Sequence, residues 1–203
     1  MTDCWYAMPV LAGGRVRLEP LTIEHAPGYF AATGSADEAK DVFHWLSVDP
    51  PTTLDEARDQ VLTALAARAL GERFAYAQLD AATGEFAGTT SLYEVDPTLR
   101  ALAIGYTWLG KRWWRTGHNT ESKLLLMQYA FQTLGAVRVI WHTDIYNVRS
   151  QAAIERLGAT KEGVLRKHRL RRDGSWRDTV QYAMTDEEWP AARDRLTARL
   201  ECG

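Results

Sequence analysis

At 203 residues with 46% hydrophobic content, the chain is one domain large enough to bury a proper core. Its 24 Lys and Arg against 26 Asp and Glu leave a formal net charge of −2, which excludes a global pull toward nucleic acid or an anionic membrane. No apolar run approaches the roughly 18 residues of a membrane span, and the first residues lack a signal-peptide pattern.

Residues 1–13 read as an N-terminal extension. Cys4 and Cys202 lie at opposite ends, which supports neither a disulfide framework nor a zinc site, so a reducing cytoplasm fits best and no metal is expected. Arg15 to Leu21 alternates charged and apolar side chains, the pattern of a first strand with one wet face. Thr22 caps a short helix over Ile23–Ala32, and Gly34 to Ala39 reads as a loop. After Asp49-Pro50-Pro51, where two prolines halt any helix, Thr53 caps a second helix. Val61, Leu62, Leu65 and Ala66 are expected on its buried side. Arg73–Leu79, Phe86–Tyr93 and Ala101–Leu109 then form three strands, the first two joined by a turn at Asp80–Gly84.

The stretch from Ala103 to Leu134 organises the rest. A buried strand ends at Leu109-Gly110, and a helix begins near Asn119–Thr120, both good N-caps, with Glu121 in its positive first turn. That helix is too apolar for one stripe and should pack on more than one side. Between strand and helix lie Trp114-Arg115-Thr116-Gly117-His118-Asn119. A helix N-terminus offers unpaired N–H groups and about half a positive charge, which suits a phosphate or pyrophosphate. Gly117 permits positive φ or close approach, and Lys111, Arg112 and Arg115 add fixed charge. An ordinary strand-to-helix turn is the competing reading. The strand Val137–Thr143 follows, then a helix opened by Asn147-Val148-Arg149-Ser150 and closed at Gly158, then a hairpin around Arg172–Asp178. A final mixed-charge helix over 186–200 closes the domain or packs in a dimer, so monomer and homodimer both stay open. The core spans about residues 15–184.

The run W-R-T-G-H-N-T-E-S, followed by Asn147-x-x-Ser150, Lys161-Glu162-Gly163 and the hairpin, resembles the GNAT acyltransferase superfamily and within it the RimJ/RimL-like branch. The order and spacing match from about Arg15 to Met184, with Trp114 where Arg or Gln is usual and Asn119 where Gly or Ala is usual. The resemblance implies an α/β (α+β) fold: a mixed, mostly antiparallel sheet flanked by helices, with a parallel strand pair splayed at the cofactor site. It implies transfer of an acetyl group from acetyl-CoA to a primary amine, of a protein N-terminus or a small molecule, by direct attack in a ternary complex. The backbone of Tyr106, Thr107, Trp108 and Leu109 would pair with the pantetheine arm. Arg112, Arg115, Thr116, Gly117, His118, Asn119 and Thr120 would hold the phosphates. Asn147 would contact pantetheine, Ser150 would protonate the leaving sulfur, and Arg149 would reach phosphate or point to water. Phe43, His44 and Trp45 are candidates for acceptor contacts, or the hydrophobic anchors of their loop.

The general base is not settled by these residues. Where relatives carry a Glu early on the central strand, this chain has Ala101 and Ala103; where RimL-type enzymes carry one after the Glu-Gly pair, it has Arg169. Glu94, His142, Asp144 and His168, or a water chain, remain. The basic residues of the last hairpin face an acidic acceptor, the phosphates, or water, and they keep a succinyl-CoA donor open. A non-catalytic CoA-binding module is one alternative. A Rossmann-type nucleotide site is another, opposed by the absence of G-x-G-x-x-G after a first strand.

Overall fold

The structure, a computed structural model, describes residues 3–202. Eight strands form one sheet in the order β1-β2-β3-β4-β5-β6-β8-β7, and they run β1 Leu11–Ala12, β2 Val16–Pro20, β3 Arg73–Asp80, β4 Phe86–Asp96, β5 Ala101–Leu109, β6 Arg138–Asp144, β7 Thr160–Leu170 and β8 Trp176–Thr185. Six α-helices accompany it: α1 Ala26–Ala32, α2 Ala36–Phe43, α3 Leu54–Ala69, α4 His118–Gln128, α5 Val148–Leu157 and α6 Trp189–Glu201. All neighbouring strands are antiparallel except β5 and β6. That mixed sheet, with one parallel pair at its centre, is the architecture expected.

The sheet separates two cores. On one face α4, α5 and α6 bury Leu126, Met127, Ile154, Leu157, Trp189 and Leu196 against Val16, Leu102, Ile104, Val139 and Val180. On the other, α1, α2 and α3 bury Tyr29, Phe43, Ala57 and Val61 against Ala75, Ala77, Phe86 and Trp108. Helix α6 therefore closes the domain, with Trp189 stacked on Phe131 at 5.4 Å between ring centroids.

Several expectations change. Residues 36–39 are helical, not loop: Ser35 accepts from the Glu38 N–H while the Glu38 carboxylate accepts from the Ser35 N–H at 2.9 Å, a capping box that starts α2. Leu62 and Ala66 of α3 are exposed, and the stripe that packs is Ala57, Val61 and Ala64. The presumed extension is integral where it is described. Leu11–Ala12 pairs with β2, Trp5 is in the core, and the Tyr129 hydroxyl donates to the carbonyls of Cys4 and Ala7 at 3.1 and 2.9 Å. The first two residues lie outside the described ones. Helix α4 starts at His118, one residue before the predicted start, and it continues into a π turn over Tyr129–Thr133.

Candidate active site

The parallel pair makes the site. Strands β5 and β6 are in register only over Ala101↔Arg138, Leu102↔Val139 and Ala103↔Ile140. Past that point each runs on without the other, and a cleft of about 1140 Å³ opens between their ends. A bulge lies along the β4 side of the opening, where the register shifts between Thr89 and Ser91. Tyr106 there takes φ of +50°, a left-handed conformation that costs a non-glycine residue roughly 1 kcal/mol. It stacks edge-on against Tyr93, centroids 5.2 Å apart.

One end of the cleft carries the turn between β5 and α4. Strand β5 ends at Leu109, whose carbonyl accepts from the Trp114 indole N–H at 2.8 Å. Gly117 then takes φ of +87° and is itself the N-cap of α4; a Cβ there would stand 3.1 Å from Arg15 Cδ. The N–H groups of the helix's first turn have no carbonyl within the helix to meet, and Asn119 and Thr120 line the cleft. The Arg149 guanidinium lies 4.1 Å from the centre of the Trp114 ring, which fixes a cation beside this turn. Arg15, Arg115, Arg156 and Arg199 also line it. A phosphate group fits these residues: open N–H groups, a backbone that only glycine forms at low cost, and surplus positive charge.

Beneath the same end sits Lys123 of α4, 4% exposed. Its Nζ donates to Thr90 and Thr107 Oγ1, each at 2.7 Å, and no carboxylate pairs with it among the described residues. Burial pushes its ammonium down to about 7. Glu121, two residues earlier, accepts from the N–H groups of Gly14, Arg15 and Val16 at 3.0, 2.7 and 2.7 Å. It ties the first long strand to α4.

Across the cleft, Asn147 caps α5, its side-chain oxygen accepting from the Ser150 N–H at 3.0 Å. Both side chains line the opening. Asp144 ends β6 close by. Burial would raise its pKa, but Arg171 donates to both its oxygens at 2.7 and 3.1 Å and the Tyr146 N–H adds a third bond, so it is held below the usual carboxylate range.

A second set of groups gathers around Tyr93 and His142. The Gln181 amide N–H donates to Glu162, so its oxygen faces the His142 ring 3.2 Å away. His142 Nε2 then carries the proton, and Nδ1 accepts from the Tyr93 hydroxyl at 2.9 Å. Arg138 anchors the far end on Glu162 at 2.7 and 2.5 Å. Glu94 is exposed, with φ of +48°, its carboxylate 3.9 Å from His142 Nδ1 and 3.5 Å from Arg169.

Residues 15–160 match the family described as acetyltransferase (GNAT) domain. The chain belongs to the GNAT acetyltransferase family. A GCN5-related N-acetyltransferase of Brucella melitensis superposes with a TM-score of 0.89 at 34% identity, over 95% of this chain and 85% of that one. The FsC-acetyl coenzyme A-N(2)-transacetylase of Aspergillus fumigatus is 30% identical over 90% of this chain and 79% of its own. The [ribosomal protein uS5]-alanine N-acetyltransferase of Escherichia coli is 29% identical over 61% of this chain and 63% of its own. For three of the sequence relatives the matched part is under two thirds of their length, 57%, 63% and 63%.

In this family member the cleft gathers Thr107, Trp108, Leu109, Arg115, Thr116, Gly117, Asn119, Thr120, Asn147, Arg149 and Ser150, together with Trp45. Of the expected residues, Glu94, His168, Arg112, His118, Phe43 and His44 do not line it. Arg112 turns outward onto Glu85 and the Trp113 ring. His118 is buried, its nitrogens 2.8 Å from Thr116 Oγ1 and 3.1 Å from Asp80. Phe43 is a core side chain against Trp108, centroids 5.1 Å apart. His44 is exposed and packs edge-on against Trp45. Asp144 reaches the cleft, but with its oxygens occupied and its pKa lowered it is a poor proton acceptor. Reading the sequence missed Lys123, Tyr93 and Gln181; His142 stood among the candidate bases, and only the fold makes it the register partner of Gln181 on the adjacent strand. Among the described residues no group of three or more His, Cys, Asp and Glu could hold a metal, and no helix is long and apolar enough to cross a membrane.

Proposed function

We propose that the chain transfers an acetyl group from acetyl-CoA to a primary amine, on a protein N-terminus or a small molecule, by direct attack within a ternary complex. The observation that carries this reading is the cleft where β5 parts from β6 and runs into the glycine-capped start of α4. One edge of a strand is open there beside a ready-made anion site, so a long ligand with a phosphate end and an amide-bearing arm fits both. The N–H groups at Gly117–Thr120 and the guanidinium of Arg149 hold the phosphates. The Thr107–Leu109 backbone and Asn147 align the arm, and an N–H of the strand polarises the thioester carbonyl.

The amine enters from the Tyr93 and His142 side. As its nitrogen bonds to the acyl carbon and the carbon–sulfur bond breaks, its proton passes through the Tyr93 hydroxyl to His142 Nδ1. The Ser150 hydroxyl supplies a proton to the departing thiolate. Gln181 and Glu162 hold His142 in the tautomer whose Nδ1 is free to accept. The uS5 relative is named for an N-terminal alanine, and the Aspergillus relative for an acetyl-CoA-dependent N-transfer. Those names support an amine acceptor and an acetyl-CoA donor here.

The test is calorimetric titration of acetyl-CoA into the wild type and Gly117→Glu, followed by thiol release on an amine panel. The substitution puts a side chain and a negative charge where φ is +87°. Micromolar binding that disappears in the variant, with its circular dichroism unchanged, supports the reading. A wild type that binds no acetyl-CoA refutes it.

A further inference from the structure

The arginines of the β7–β8 hairpin differ in what they meet. Arg171 holds Asp144 with two bonds. Arg172 meets the Asp49 carboxylate and the Val48 carbonyl. Arg169 stands 3.5 Å from Glu94. Arg177 has no hydrogen bond and no ion pair among the described residues, and its Nε is buried without a partner. It nevertheless lines the cleft, as Arg169 does, and the two are direct register partners on adjacent strands.

Such a guanidinium is costly. It holds its proton throughout the accessible pH range, and a buried donor without an acceptor loses its hydration for nothing. Burial and the neighbouring Arg169 both disfavour its charge. The carboxylate that acts on it most, Asp144, has its oxygens committed to Arg171 and the Tyr146 N–H. What Arg177 lacks is an anion, and a planar fork of N–H groups fits a carboxylate with two parallel bonds. The phosphate site lies at the other end of the cleft, around Gly117, so a phosphate of the donor is not the missing group.

We propose that Arg177, with Arg169 beside it, is the receptor for a carboxylate carried by one of the two reactants, either the acceptor amine or the acyl group. This rests on the acyl-transfer reading above and goes further, because it names the chemical class that the site selects. A neutral amine with an acetyl donor would leave the Arg177 fork unfilled.

The experiment uses pairs of reactants that differ in one charge. On the acceptor side, free L-amino acids are compared with their C-terminal amides, using acetyl-CoA and thiol release. On the donor side, succinyl-CoA is compared with acetyl-CoA on the amides alone. Wild type, Arg177→Gln and Arg177→Lys are run together. In one of the two arms the wild type is expected to favour the carboxylate by about 10- to 100-fold in kcat/KM. Arg177→Gln should lose that preference while keeping its rate on the uncharged partner, and Arg177→Lys should restore part of it. The arm in which the preference appears identifies the source of the carboxylate.

Calorimetry gives a readout that needs no turnover. Succinyl-CoA, acetyl-CoA and, with the protein saturated in CoA, glutamate are titrated into wild type and Arg177→Gln. If no amine is acetylated but the variant selectively weakens succinyl-CoA or glutamate binding, the catalytic reading fails and the carboxylate receptor stands. If charged and uncharged partners differ by less than twofold in every arm, or Arg177→Gln weakens all of them equally, the receptor is refuted.

Discussion

Lys123 offers the sharpest test of the packing around the cleft. An ordinary lysine loses its proton near 10.5, but burial takes this one to about 7. Between those values the unfolded chain holds a proton that the folded chain has released. Unfolding then takes up protons, and stability rises with pH by about 1.4 kcal/mol per pH unit. From pH 7 to 9 the gain is on the order of 2 kcal/mol, which for a domain of this size corresponds to a rise of about 4–8 °C in Tm.

The window is clear of other perturbed groups. The lowered carboxylates titrate below it, and His168, also lowered, has lost its proton by its start. The buried tyrosines act above it with the opposite sign: Tyr29 and Tyr182 are pushed up to about 12, so the unfolded chain ionises first and stability falls beyond about pH 10. Lys123→Met keeps the length and removes the charge, while Thr90 and Thr107 still bond each other at 2.9 Å. Thermal unfolding by circular dichroism at pH 7, 8 and 9 should show the slope in the wild type and its absence in the variant. At pH 7 the variant should also melt higher. Parallel slopes for the two proteins would refute a neutralised Lys123.

Glu121→Ala should cost about 3–5 kcal/mol in urea unfolding, because three backbone N–H groups lose one carboxylate and the Val16 N–H is buried. Asp144→Asn should lower stability by about 1–3 kcal/mol at pH 7 by stripping the charge that faces Arg171. It should also remove part of the wild type's acid destabilisation, which sets in as pH falls through the depressed carboxyl pKa, and it should leave the acidic limb of the pH–rate profile in place; loss of that limb would make Asp144 the base. Ser150→Ala should reduce kcat by about 10²-fold with acetyl-CoA affinity within twofold of wild type, measured by stopped-flow thiol release and calorimetry. An unchanged kcat would assign the sulfur's proton to water.

The strands and the order of elements were legible because their patterns are local. Alternation marks Arg15–Leu21, turn residues mark Asp80–Gly84, and Asn147 satisfies a helix start by its own side chain. Helix α2 was legible too, since Ser35 and Glu38 stand three apart as a capping box requires, but the small residues around them obscured it. The start of α4 was misplaced because Gly117 supplies no capping side chain. What the sequence conceals is partner choice. Arg112, Arg171 and Arg172 are equal as letters, and only the fold shows each beside a carboxylate from a distant segment. Lys123 is hidden for the same reason, standing before Leu124, Leu125, Leu126 and Met127 where a lysine would ordinarily reach water.

The turn at Gly117 also sits where the segment before β2 meets the C-terminal part of α6. Arg15 packs against it and donates to the Leu200 carbonyl at 3.0 Å, joining segments 185 positions apart. Glu121, one turn into the same helix, grips the start of β2. A ligand filling the phosphate site proposed at this turn would therefore hold β2 and α6 together, and amide exchange should slow in concert around Val16 and Leu200 when it binds.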